Sequence, residues 1–171
     1  MRASLLRSVD PAPLASGSLL LCGMPAPPTP LAQFEAESAG AGVHRVVRVA
    51  DPEREGHESP DAAREVAAGA FPVPVVRLPI ADFGVPAHGR RCASPVRPIA
   101  DWSRAGERVV LHCGAGIGRT GMTVVCVHLV LGFAREEAER RVGATGSSCE
   151  REVREEFVPA FASRMNGGGS P

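Results

Sequence analysis

Ten consecutive residues, His112-Cys113-Gly114-Ala115-Gly116-Ile117-Gly118-Arg119-Thr120-Gly121, bring together a soft nucleophile, a glycine-rich turn and an arginine. The residues before them, Arg108-Val109-Val110-Leu111, form an apolar run that reads as a strand buried on both faces. The stretch from Thr120 to Leu131 is almost wholly apolar and reads as a helix through the centre of a domain. Glycines between such elements let the backbone turn tightly with its N–H groups directed inward. A nest of that kind at a helix N-terminus receives a phosphate-sized anion. A cysteine at its rim lies in a field that favours thiolate over thiol. An arginine six residues on can return across the loop and grip two oxygens at once, a geometry lysine cannot match. Anion cradle, nucleophile and clamp are thus encoded together. The bland alternative is a glycine-rich strand-to-helix turn around an inert cysteine.

The run resembles the loop of the cysteine-based protein phosphatases, H-C-x-x-G-x-x-R-[ST], with His112, Cys113, Gly116, Arg119 and Thr120 at its fixed positions. A bare Cys-x5-Arg is shared with rhodanese-type loops, whereas the full pattern between a strand and a helix is specific. The resemblance, to the small dual-specificity branch, covers roughly residues 18 to 160 and is loose outside the loop. It implies Cys113 as nucleophile, Arg119 as clamp, and the backbone of Gly114, Ala115, Gly116, Ile117 and Gly118 as the substrate-binding cradle. It implies that His112 hydrogen-bonds loop backbone and that Thr120 stabilises the cysteine as a leaving group. It also asks for an upstream acid on a loop. Leu78-Pro79-Ile80-Ala81-Asp82-Phe83-Gly84-Val85-Pro86 is similar to that loop, with Asp82 as the acid, 31 residues before Cys113. Asp101 is the rival, inside an expected helix and facing solvent. His128, among Val127, Leu129 and Val130, reads as a core histidine.

The reaction this resemblance implies is metal-independent hydrolysis of phosphate monoesters on phosphoproteins through a phosphocysteine. Phosphotyrosine is expected, with phosphoserine and phosphothreonine as further candidates, and no cofactor or metal is called for. Gly114, Ala115, Ile117 and Gly118 carry no charge, unlike phosphoinositide-cleaving relatives, which favours a singly phosphorylated group. The alternatives are the same chemistry on RNA 5′-phosphate, nucleotide or phosphoinositide substrates, or a phosphoprotein-binding module without turnover. Arg90 and Arg91, beyond the acid loop, read as a solvated turn more readily than as a phosphosite contact. Two departures stand out. The family often follows Arg-Pro-Gly-Ala with a water-positioning Gln, but Arg141-Val142-Gly143-Ala144 runs into Thr145-Gly146-Ser147-Ser148. No Tyr is present to serve a phosphotyrosine-recognition loop, which favours a shallower pocket.

The elements that must hold these residues are set by patterning. At 171 residues, 44% hydrophobic and 22% charged, the chain has room for one well-packed domain, expected over residues 1–165 with a flexible tail at 166–171. Nineteen basic residues, all Arg, balance nineteen acidic ones, so no net field draws it to nucleic acid or anionic lipid. The skew towards Arg, Ala, Gly and Pro reads as genome composition. Cys22, Cys92, Cys113, Cys126 and Cys149 form no CxxC pair, which suggests neither zinc nor a disulfide framework. With no long apolar run and no signal peptide, a cytoplasmic monomer is expected, with no membrane or nucleic-acid partner.

Strands are expected at Ser18 to Cys22, Val43 to Val49, Val73 to Pro79 (an edge strand) and Arg108 to His112. Helices are expected at Leu31 to Ala39 behind a Thr29-Pro30 cap, from an Asp61 cap to Ala68, and from Ser94-Pro95 to Arg104. Three more are expected from Thr120 to Leu131, Arg135 to Val142 and Cys149 to Phe161. Strands alternating with helices define an α/β fold, a central mainly parallel sheet flanked by helices, with the glycine-rich loop between a buried strand and a buried helix.

Overall fold

A computed structural model describes residues 4–25, 31–50, 56–80, 93–149 and 156–167. Five strands form one sheet: β1 (Arg7–Val9), β2 (Ser18–Gly23), β3 (Arg45–Arg48), β4 (Val75–Arg77) and β5 (Arg108–Cys113). Their order is β1-β2-β5-β3-β4. β1 is antiparallel to β2 and every other pair is parallel. The register places Gly23 beside Cys113 and Arg48 beside His112, so β2, β5 and β3 end together at one edge. Val109, Val110 and Leu111 are each fully buried in the central strand, and burying each such side chain contributes roughly 1.5–3 kcal/mol. That burial on both faces is why the run carries no polar alternation.

Helices cover both faces. Phe34 of α1 (Leu31–Gly40) packs with Leu20, Cys22, Val46 and Val110 on one side. The other side receives α3 (Ala93–Arg104), α4 (Gly118–Leu131), α5 (Arg135–Gly143) and α6 (Val158–Gly167) against Leu19, Leu21, Val47, Val109 and Leu111. α4 runs through the middle: all but two of its 14 residues are buried, as expected of a helix without a polar face. Helix α2 spans Pro60–Ala67.

The structure adds and corrects several elements. β1 was not foreseen. Ser59, not Asp61, stands at the N-cap of α2, and its hydroxyl donates to the Pro25 carbonyl instead of capping the helix. Asp61 sits in the first turn, where a carboxylate meets the positive end of the helix dipole. α4 begins at Gly118, two residues earlier than expected, which puts Arg119 in its first turn. Cys149 is buried outside any helix, and the last helix runs through Gly167 rather than ending at Phe161. The Thr29-Pro30 cap lies outside the described residues. Among the described residues no helix is long and apolar enough to cross a membrane.

Candidate active site

The loop from Gly114 to Ile117 joins the carboxyl end of β5 to the N-terminus of α4. The first four N–H groups of a helix have no partner within it. Here the N-cap position is Ile117, whose side chain cannot accept a hydrogen bond, so the helix end is left open to an anion. Gly116 has φ +70, and a Cβ there would collide with the Cys22 carbonyl and the Gly23 nitrogen. Only glycine permits the loop both this left-handed turn and this approach to the end of β2. The Met24 N–H donates to the Gly114 carbonyl at 2.8 Å and further fastens loop to strand.

Cys113 is 3% exposed and belongs to the core cluster beneath the loop. It therefore forms the floor of the cradle; the sequence had put it at the rim. The rim position goes to Ile117, 45% exposed. Arg119 is buried and its guanidinium does return across the loop. Nη1 donates to the Ile80 carbonyl at 3.2 Å, and Nη2 lies 3.7 Å from where a Gly114 Cβ would stand. Thr120 is fully buried, and its hydroxyl has no hydrogen-bond partner among the described residues.

His112 packs edge-on against Phe34 on the α1 side of the sheet, with ring centroids 6.1 Å apart. Burial, reinforced by the neighbouring Arg48 charge and opposed by the Cys113 backbone, holds its pKa down at about 3. His112 is accordingly a neutral imidazole at working pH that supplies no charge, and its buried Nδ1 has no hydrogen-bond partner among the described residues. The adjacent Cys22 thiol is pushed up to about 12, mainly by burial, with Arg7 opposing and Cys113 adding to the rise. It stays protonated. Cys22 and Cys113 are free thiols, and all four described cysteines, Cys126 and Cys149 included, are buried.

The acid candidate Asp82 lies outside the described residues, as do Arg90, Arg91 and Cys92. The chain leading to Asp82 is described, however. Leu78 donates to the Arg48 carbonyl and Ile80 to the Val49 carbonyl, so the segment extends along the end of β3 until the Ile80 carbonyl meets Arg119. Asp101 is exposed and paired with Arg104 at 2.8 Å. It sits where α3 ends beside Gly17, at the amino edge of the sheet, a strand's length from the cradle. His128 is buried, donates from Nδ1–H to the Val124 carbonyl at 2.9 Å, and lies tilted against the Phe133 ring, as a core histidine does.

Three contributors escaped the sequence reading. The Gly116 carbonyl, on the back of the loop, accepts from Arg7 Nη2 at 2.7 Å and from Ser147 Oγ at 2.8 Å. The Glu58 carboxylate approaches the loop, with Oε2 3.5 Å from the position of a Gly114 Cβ. No local sequence signal marks any of them, because each reaches the loop from a distant segment. Ser147 does fall in the stretch where the family's Gln is missing. Among the described residues no group of three or more His, Cys, Asp or Glu side chains could hold a metal ion.

A buried cysteine below an open helix N-terminus, spanned by an arginine, on this five-stranded sheet defines the cysteine-based phosphatase class, dual-specificity-like branch. The sequence profile of the Swiss Army Knife proteins' DSP-PTPase phosphatase domain, PTP-SAK, matches residues 21–160, and the chain belongs to that family. No curated protein sequence matches it. Its fold is similar to that of kinase associated phosphatase bearing a substitution of its catalytic-site cysteine to serine. The TM-score is 0.80 at 14% identity, covering 97% of this chain and 98% of that one. It is also similar to PTPMT1 in complex with PI(5)P, with TM-score 0.70, 17% identity and coverage of 98% and 100%. Human DUSP28 gives 0.63 at 18%, covering 96% and 97%.

Proposed function

We propose that this phosphatase domain hydrolyses phosphate monoesters on phosphoproteins through a phosphocysteine formed on Cys113. The observation that carries the reading is the buried Cys113 beneath the uncapped N-terminus of α4 with the Arg119 guanidinium folded over the loop. The Cys113 thiolate attacks phosphorus while Asp82 gives its proton to the departing oxygen, so an alcohol or phenol leaves and the phosphoryl group stays on sulfur. Arg119 and the loop N–H groups hold the three equatorial oxygens as charge gathers there. Asp82, now a carboxylate, takes a proton from water, which attacks the phosphocysteine and releases phosphate and thiolate. The Ile80 carbonyl on Arg119 supports the acid role, because it brings the chain to the cradle two residues before Asp82.

Phosphotyrosine, with phosphoserine and phosphothreonine beside it, is the substrate class we favour, acted on by a cytoplasmic monomer. The fold shared with PTPMT1, whose structure holds PI(5)P, makes phosphoinositides the competing class. The uncharged Ala115 and Ile117 offer nothing to a second phosphate and favour the phosphoprotein. An aryl phosphate assay in the presence of EDTA tests the core of the reading. Wild type should turn over and be inhibited by vanadate, and Cys113→Ser should be inactive while still binding phosphate. Hydrolysis that survives Cys113→Ser, or that needs an added divalent cation, overturns it.

A further inference from the structure

We infer that Arg7 and Ser147 are positioning residues that set the phosphate cradle from outside the loop motif, by holding the Gly116 carbonyl on its back. The inference rests on the phosphatase reading above.

A trans peptide is planar, with its C=O and N–H directed to opposite sides. Wherever a carbonyl is tied to the back of the loop, the N–H that comes after it is therefore aimed at the front. The Gly114 carbonyl is tied by Met24, which aims the Ala115 N–H. The Gly116 carbonyl is tied twice, by Arg7 Nη2 at 2.7 Å and Ser147 Oγ at 2.8 Å, which aims the Ile117 N–H. The Ile117 carbonyl is already taken by the first turn of α4 through Gly121, at 2.9 Å. The Gly116–Ile117 peptide is thus fixed by two side chains reaching the loop from distant segments.

Its orientation needs fixing, because the plane turns about the Cα–C bond of Gly116, and a residue without a Cβ opposes that rotation least. A rotated peptide would present a carbonyl oxygen to the phosphate in place of an N–H donor. The two ties are also strong ones. Arg7 carries charge, and a charge-assisted bond of this length is about twice as strong as a neutral one. Ser147 is fully buried, so its hydroxyl has no water to turn to. Arg7 is held in turn, since its Nη1 donates to the Thr145 carbonyl at 3.1 Å, two residues from Ser147. One guanidinium therefore joins strand β1, the cradle and the segment after α5. The loop after α5 lacks the glutamine expected there, yet it reaches the same cradle from behind through Ser147.

The test compares Arg7→Ala, Ser147→Ala and Arg7→Lys with wild type. The readouts are the inhibition constant for inorganic phosphate, kcat and KM on an aryl phosphate, and the thermal midpoint. The inhibition constant belongs to the folded molecules and is not moved by a smaller folded fraction. Removing a hydrogen bond to a charged partner should raise it by about tenfold in Arg7→Ala, with kcat/KM falling in parallel. Ser147→Ala should raise it more than threefold, and Arg7→Lys, which keeps one charged donor for the Gly116 carbonyl, should recover most of the loss. If Arg7→Ala does not fold, Ser147→Ala decides, since it removes a single oxygen and little volume. Phosphate inhibition within threefold of wild type in every variant that folds, whatever the thermal midpoint, overturns the inference and leaves a purely structural tether. A wild type that neither hydrolyses the ester nor binds phosphate overturns the underlying phosphatase reading instead.

Discussion

Arg119 spans the cradle because its planar fork can offer parallel N–H donors while its stem lies buried in the first turn of α4. A lysine placed there keeps the charge and loses the fork, so Arg119→Lys should reduce kcat by about 10²-fold, the scale of losing one preorganised transition-state donor. A lysine variant turning over at near the wild-type rate would remove the clamp role. Asp82 is tested by leaving group. As general acid it matters most where the oxygen leaves as a poor anion, so Asp82→Asn should damage alkyl phosphates far more than nitrophenyl esters. An equal, modest loss on every substrate would reduce Asp82 to a turn residue. Asp101→Asn should behave as wild type, since that carboxylate is engaged by Arg104 at the other edge of the sheet. The placing of Cys113, Arg119 and the glycines about one loop was legible because they share one short segment whose spacing is itself the geometry. Arg7, Glu58 and Ser147 were not, because nothing within several residues of them departs from ordinary polar sequence and only the tertiary fold brings them to the loop.

At the scale of elements, two glycines at opposite ends of the α4–α5 region should respond in opposite senses. Gly116→Ala must place a Cβ at φ +70 against the backbone of Cys22. The left-handed conformation alone costs about 1–2 kcal/mol, and the collision forces the loop off β2, so loss of stability and of phosphate binding should come together. Gly143, the last residue of α5, has nothing within 4 Å of a Cβ and no positive φ. Gly143→Ala should therefore stabilise by about 0.4–1 kcal/mol through the unfolded chain, with activity unchanged. Urea unfolding of the two variants checks both; a stabilising Gly116→Ala would show the loop is not fixed against β2. The same physics explains which elements could be read in advance. β2, β5 and α4 are apolar along most of their length because nearly all of their residues are buried, and pattern alone marked them. β1 is three residues long and exists only by antiparallel pairing with β2, which local sequence does not encode. The end of α6 was misjudged for a different reason. Val158, Phe161, Ala162 and Met165 all pack on the core at helical spacing, so the apolar stripe outlasts Phe161 and carries the helix with it.

For the whole molecule, burial of two histidines ties stability to pH. His112 is held down at about 3, first by burial and then by Arg48, against an ordinary value of 6.5. His128 is lowered too, chiefly by burial. In both cases the unfolded chain takes up a proton near pH 6.5 that the folded chain refuses. Stability should therefore be greatest above pH 6.5 and fall as pH drops from 6.5 towards 3, where His112 protonates in the folded state and its contribution to the slope ends. One refused proton is worth about 1.4 kcal/mol per pH unit, a steep dependence for a fold of ordinary marginal stability. Glu137, held at about 2 mainly by its Arg140 and Arg141 hydrogen bonds, works in the same sense below pH 4.5, but it is half-exposed at the surface and adds little. The consequence reaches function, because activity lost on acidification will mix protonation at the site with loss of folded protein. Urea unfolding of wild type and His112→Asn between about pH 6 and about pH 4 separates the two. The variant starts from lower stability, yet its free energy should depend on pH less steeply by about 1.4 kcal/mol per unit, one proton's worth. The remaining slope belongs to His128 and the carboxylates. Parallel curves for the two proteins would show that the folded state accepts a proton at His112 as readily as the unfolded chain, and that the imidazole beside Cys113 is not held neutral.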